Sequence, residues 1–265
     1  MKRLLLPSIL FLLTLGALAQ NYDDWHKDRI DKLTKPDGYL SLVGLEWVQS
    51  EPKEIEGVGK AWLEGTTVHV ELEPGYTLDG RALTTVALDT QKPEAEQVVR
   101  NGTRSFYAIR RGPWTGLRMK DSQAPTLVQF AGVDRFEVNP DWKLKGRLIK
   151  DAKELDVASV VGVSTGEDSP GMAEFEVDGE THRVQLIGKP DSERFFLVFS
   201  DATAGKTTYS ACRFLYVDRV GDDGLVLDFN KSINPACAFT HYATCPLPPK
   251  ENVFSFGIPA GEKSP

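Results

Sequence analysis

The chain has 265 residues, with 31 basic side chains against 38 acidic ones and a formal net charge of −7. That balance argues against a general binder of nucleic acid or anionic membranes, which needs a basic surface. Hydrophobic residues make up 41% of the chain, which excludes global disorder and suits one large all-β domain or two small ones.

The N-terminus, MKRLLLPSILFLLTLGALAQ, has the layout of a secretory signal peptide over residues 1–19. Lys2 and Arg3 form a positive n-region, Leu4 to Leu15 an apolar h-region, and Ala17-Leu18-Ala19 a small-residue cleavage site before Gln20. The run is too short for a comfortable membrane span, and no other stretch approaches about 18 uninterrupted apolar residues. A lipoprotein would need a cysteine where Gln20 stands. The expectation is an exported protein, periplasmic or secreted, with no membrane span after cleavage. Loss of Lys2 and Arg3 leaves 29 basic residues against 38 acidic ones, a net charge of −9.

One helix is predicted next. Asn21 can cap it, Asp23 and Asp24 suit its first turn, and Tyr22, Trp25, Ile30 and Leu33 make an apolar stripe. Lys35-Pro36-Asp37-Gly38 stops it. From there the period changes to two. Runs such as YLSLVGLEWV, TTVHVELE, TRSFYAIR, LVQFAG, MAEFEVDG, HRVQLIG, RFFLVFS, CRFLYVD, GLVLDFN and NVFSFGI read as strands, punctuated by Asp-Gly and Asn-Gly turns. About a dozen such runs with little helical pattern between them predict an antiparallel all-β fold, sandwich or barrel-like, with one N-terminal helix. Residues 20–265 are expected to form a single β-rich domain, with a loop or lobe boundary at 164–171. The proline-rich tail from Pro246 is expected to run extended before a last strand at Val253 to Ile258.

Two stretches carry potential chemistry. The segment from Arg104 to Asp121 holds Arg104, Arg110, Arg111, Arg118 and Lys120 with a single acid, Asp121. Converging guanidiniums bind carboxylates or phosphates through paired hydrogen bonds, so Arg118 and Lys120 are candidate anchors for an anionic small molecule. The opposing reading is that these cations pair with acids on neighbouring strands. The second stretch holds Cys237, His241 and Cys245 in the spacing C-x3-H-x3-C. It admits a zinc site, a Cys-His catalytic pair, free buried thiols or a disulfide. Exported cysteines usually pair, so a Cys237–Cys245 bond that pins the tail is the expectation, worth about 2–3 kcal/mol by loop closure. Cys212, in a strand-like run, is expected to be a buried hydrophobe. The glycine-lysine-threonine turn near Gly205 is no phosphate loop, since Ser200 stands where the pattern needs glycine and a strand follows.

GYLSLVGLEWV, GLRMKD, TTYSACRFLYVD, LVLDFNKSINPACAFTHYATCPLPPKEN and the closing AGEK together resemble the bacterial family called domain of unknown function 1684. The resemblance spans about Trp25 to Lys263. It implies that Asp228, Asn230, Asn234, Tyr242, Cys245 and Glu251 belong to the family motif, and that His241 and Cys212 do not. It implies no activity. The combined expectation is a binding protein for a small polar or anionic ligand, using Arg118, Lys120, Asp121, Arg213, Asp228 and Asn230, with no cofactor and no metal. The alternatives are a hydrolase with Asp121 or Asp228 as general base, or a structural envelope protein. An enzyme requires converging carboxylates, or a carboxylate and an arginine, in one pocket.

Overall fold

The computed structural model describes residues 7–265. Lys2 and Arg3, the basic start of the expected signal peptide, lie outside the described residues. Helix α1 (Pro7–Leu33) begins before the expected cap, so Asn21 sits inside it. The good helix formers that precede Asn21 let the helix extend upstream. Its predicted stripe does turn inward. Tyr22 and Leu33 are buried, and Leu33 packs with Leu40 and Val133 beside Ile30 and Phe239. Among the described residues no helix is long and apolar enough to cross a membrane.

Ten strands follow: β1 (Leu42–Trp47), β2 (Lys53–Ile55), β3 (Gly59–Glu64), β4 (Thr67–Leu72), β5 (Thr77–Leu78), β6 (Arg81–Ala82), β7 (Thr85–Asp89), β8 (Val99–Asn101), β9 (Arg104–Arg111) and β10 (Trp114–Asp121). They make a six-stranded sheet in the order β1-β10-β9-β8-β5-β6 and a four-stranded sheet in the order β2-β3-β4-β7. Alternation decides what they bury. Val68, Val70 and Leu88 of the smaller sheet share one apolar cluster with Val99, Phe106, Ala108 and Leu117 of the larger.

Six more strands build a second six-stranded sheet: β11 (Lys143–Ala158), β12 (Ser164–Val177), β13 (Glu180–Gln185), β14 (Arg194–Phe199), β15 (Arg213–Val220) and β16 (Gly224–Asp228), in the order β13-β12-β11-β16-β15-β14. All strand pairs within the three sheets are antiparallel, as expected, and the sheets remain open rather than closing into a barrel. Three local expectations are corrected. Residues 164–171 are not a loop but the first half of β12, paired along β11. Ser169-Pro170-Gly171 fits there because the register breaks between Lys150 and Lys153, and a proline is tolerated at such a bulge. Gly171 is required at the break: its φ is +125, and a Cβ would lie 2.1 Å from the Ile149 carbonyl oxygen. LVQFAG is not a strand, because Pro125 starts the short helix α2 (Pro125–Val128). The last run, Val253 to Ile258, forms no strand, only a single parallel bridge between Ser200 and Val253.

That last segment has another task. Phe254, Ile258 and Ala260 pack on Phe195, Leu197, Phe199, Leu215 and Val217, so the tail covers the inner face of the second six-stranded sheet where a sandwich would place another sheet. Its backbone is satisfied by buried side chains. Arg213 donates to the carbonyls of Ile258, at 2.8 Å, and Ala260, and to Asp201 at 2.7 Å. Asn252 donates to the carbonyls of Gln185 (2.9 Å) and Val198 (2.8 Å) and accepts from the Gln185 N–H. Glu262, fully buried, accepts from the Asn234 N–H and pairs with Arg29 of α1.

Burial raises the pKa of Asp201, but the Arg213 charge and the Thr203 hydrogen bonds outweigh it, and the net shift is downward. A depressed carboxylate adds stability above its unfolded pKa of about 3.9 and loses it as pH falls through the lower folded value. Arg213→Met should therefore cost about 3–5 kcal/mol in urea unfolding at pH 7, since it strands Asp201 uncompensated. Asp201→Asn should flatten the loss of stability below about pH 4. A near-neutral Arg213→Met would show that the tail is held by apolar contact alone.

Candidate functional site

β10 places successive side chains on opposite faces, so Leu117 enters the core and Arg118 faces the other way. Arg118 is nonetheless only 4% exposed. The C-terminal tail covers it. The Val160 N–H donates to the Cys245 carbonyl and the Leu247 N–H to the Ala158 carbonyl, and Ala243 and Cys245 are buried, which lays Thr244 over the arginine. The Thr244 hydroxyl accepts from Nη2 of Arg118 and from Nε of Arg111, each at 3.0 Å. One hydroxyl therefore gathers two cations. Across the ladder from Arg118 stands Tyr107, whose buried phenol is pushed up by desolvation even though the Arg118 charge opposes the shift.

Arg111, Arg118 and Thr244 form one wall of a cleft of about 570 Å³. That is the size range of small-molecule sites. Arg29, Arg110, Arg111 and Arg118 line it against a single carboxylate, Glu167. Arg29 is matched by Glu262, and Arg111 faces Glu94 at 3.6 Å. Arg118 has no acidic partner among the described residues, and its Nε is buried with no acceptor at all. The opposite wall is the outer face of β14 and β15, with Phe196, Phe214 and Tyr216. An antiparallel sheet that buries one face normally presents polar side chains on the other. Here Phe196 pairs directly with Tyr216 across the ladder and meets Phe214 edge-on at 4.8 Å.

The six side chains expected to form one site are not brought together. Only Arg118 lines this cleft. Lys120, two residues on along β10, donates to the Asp37 carbonyl at 2.5 Å and lines a separate cavity of about 220 Å³. Burial draws its pKa down. Asp121 accepts from the Gln123 N–H, which lowers its pKa, and sits 3.6 Å from Arg104. Arg213 is sealed in the tail contact with Asp201. Asp228 accepts from the Tyr22 hydroxyl at 2.8 Å and from Asn230, whose side chain also bonds the Asn139 backbone in both directions. Asp228 and Asn230 thus anchor α1 and the turn before β11. Asn234 touches the cleft, but its side chain donates to the Lys263 carbonyl.

The cysteines are free in this structure, so the expected Cys237–Cys245 bond is not formed in it. The two are nevertheless neighbours. The Cys237 N–H donates to Sγ of Cys245 at 3.2 Å, and the Tyr209 hydroxyl donates to the Cys237 carbonyl at 3.1 Å. Hydrogen bonding from Cys245 stabilises a thiolate at Cys237 and pulls its pKa down to about 7, while Cys245 is pushed up. Burial raises Cys212 to about 12. Among the described residues no group of three His, Cys, Asp or Glu side chains is arranged to hold a metal.

Residues 128–263 match the sequence model of a family described as a protein of unknown function, DUF1684; this is half of the chain, and the chain belongs to that family. The match includes the aromatic wall and Thr244, while Arg111 and Arg118 lie before it. A solution structure of an uncharacterized protein from gene locus rrnAC0354 of Haloarcula marismortui is similar, with 24% identity over 51% of this chain and 78% of that one and a TM-score of 0.43. No curated protein matches the chain.

In the reduced protein, iodoacetamide should modify Cys237 well before Cys245 or Cys212, with a rate that rises through a midpoint near pH 7. A midpoint at the ordinary thiol value of about 8.5 would mean that Cys245 does not support the thiolate.

Proposed function

We propose that this is an exported binding protein for a small anionic ligand, which it holds in the cleft through Arg118. The observation that carries the reading is a guanidinium that is 4% exposed, lacks an acidic partner, and keeps one nitrogen without any acceptor. A buried charge is costly unless something neutralises it. Buried polar groups left unsatisfied on a cavity wall mark where a partner is missing. The convergence of Arg111 and Arg118 on one hydroxyl adds like-charge repulsion that an anion would relieve.

A hydrolase is less well supported. Asp121 and Asp228, the carboxylates it would use, are engaged outside the cleft. Glu167 accepts from the Thr165 hydroxyl and pairs with no arginine among the described residues. Export rests on residues 1–19, with cleavage before Gln20. In an oxidising compartment the neighbouring Cys237 and Cys245 would close as a disulfide that fixes the segment carrying Thr244. Protein collected after export should then begin at Gln20 by intact mass, with Cys237 and Cys245 resisting alkylation until reduced. A chain retaining Met1, or alkylating freely, contradicts the export and disulfide parts of this reading.

Binding is tested by thermal unfolding with a panel of small carboxylates, phosphate and sulfate. The wild type should gain stability with at least one anion beyond the effect of ionic strength. Arg118→Met should lose that gain yet melt no lower than wild type in its absence, because an unpaired buried charge has been replaced by an apolar chain of similar length. An Arg118→Met variant that melts far below wild type without any anion would make Arg118 a structural residue and end the reading.

A further inference from the structure

We infer that the ligand is an amphipathic monocarboxylate, its carboxylate on Arg118 and an aromatic or branched apolar body against Phe196, Phe214 and Tyr216; this rests on the anion-binding reading and narrows it. Two features of the cleft set the ligand's chemistry independently.

The first is the charge count. Arg29 is already paired with Glu262, Arg111 shares Glu94, and exposed Arg110 donates to the Gly112 carbonyl. One buried guanidinium remains uncompensated, with Glu167 on the same cleft. A single negative charge balances it. A phosphate dianion or a tricarboxylate would add surplus negative charge to a half-buried cleft that already holds Glu167, where like charges repel. Geometry favours carboxylate as well. Nε of Arg118 has no acceptor, and its Nη2 is held by a neutral hydroxyl that can turn to share that donor. The planar fork of an arginine matches the two oxygens of a carboxylate.

The second is the aromatic wall. Phe196, Phe214 and Tyr216 stand on the outward face of strands whose inward face is already filled by Phe195, Leu197, Leu215 and Val217. They are not needed for that core. Tyr216 is 53% exposed despite its size. A purely hydrophilic anion would leave this apolar surface wet, whereas an aryl or branched alkyl group would bury it against rings that meet one another edge-on or tilted.

The test is calorimetric titration of the full mature chain with 3-phenylpropionate, indole-3-acetate and 4-methylpentanoate. Controls are 3-phenylpropionamide, acetate and inorganic phosphate. At least one of the three amphipathic acids should bind saturably at one site. Acetate should bind about 30- to 100-fold more weakly, and the neutral amide about 10- to 100-fold more weakly. Arg118→Gln should lose about 10- to 100-fold in affinity for the acid, and Phe214→Ala about 3- to 10-fold. A melting curve for each variant confirms folding, and Arg118→Lys, which keeps the charge without the fork, should fall between wild type and Arg118→Gln. If acetate or phosphate binds as tightly as the amphipathic acids in an Arg118-dependent way, the inference is overturned and the anion site stands. If the amide matches its acid, if Arg118→Gln binds normally, or if none of these probes binds, both readings fall together.

Discussion

The tail after Phe229 crosses the inner face of a six-stranded sheet without a ladder of its own, and its backbone groups must still be satisfied. Arg213 meets that constraint from the first residue of β15, holding the carbonyls of Ile258 and Ala260 while Asp201 balances its charge. Asn252 does the same work between the sheet's two edge strands, against Gln185 of β13 and Val198 of β14. Glu262 joins the end of the tail to Asn234 and, through Arg29, to helix α1. Phe254, Ile258 and Ala260 can then serve as core, although nothing in their local pattern makes a regular element.

The cleft follows from this arrangement. The same irregular tail passes the end of β11 and lays Thr244 over β10, which buries Arg118 without giving it a counter-ion. The molecule therefore contains two buried arginines with opposite surroundings. Arg213 has a carboxylate and two carbonyls and is closed off from solvent. Arg118 has the Thr244 hydroxyl, with the Tyr107 phenol beside it, and lines a cavity. Desolvation costs both of them, but among the described residues only the first has a compensating carboxylate. The position of Cys245 next to Thr244 ties the thiol pair to this cover, so closing or opening a Cys237–Cys245 bond would act on the segment that gathers Arg111 and Arg118.

Much of the fold was legible in the sequence, because hairpin turns and period-two runs are local. Asp178-Gly179 between β12 and β13 is such a case. What escaped depends on distant partners. Residues 143–153 carry too many charges to read as a strand, yet pairing with β12 and β16 makes them one. Residues 253–258 alternate like a strand, yet they meet neighbouring backbone only at Ser200 and Ala202 before Arg213 and Asp201 claim Ile258. The arginine island singled out Arg118, which lines the cleft, but grouping it with Asp228 and Asn230 assumed that motif residues share a pocket. Those two are spent on Tyr22 and Asn139. The aromatic wall left a signal that was available: RFFLVF and RFLYVD are apolar at both parities, which an antiparallel strand with one wet face does not require.

The central claim is that Arg118, unlike Arg213, is held ready for an anion. Its most direct test is the side-chain Nε–H resonance of each arginine, followed by NMR while an amphipathic carboxylate is added. Both Nε atoms lack an acceptor in the free protein. The account predicts that the Arg118 signal moves downfield and saturates as its Nε gains a carboxylate, while the sealed Arg213 signal stays where it is. An Arg118 resonance that does not move, or that drifts without saturation together with Arg213, would contradict it.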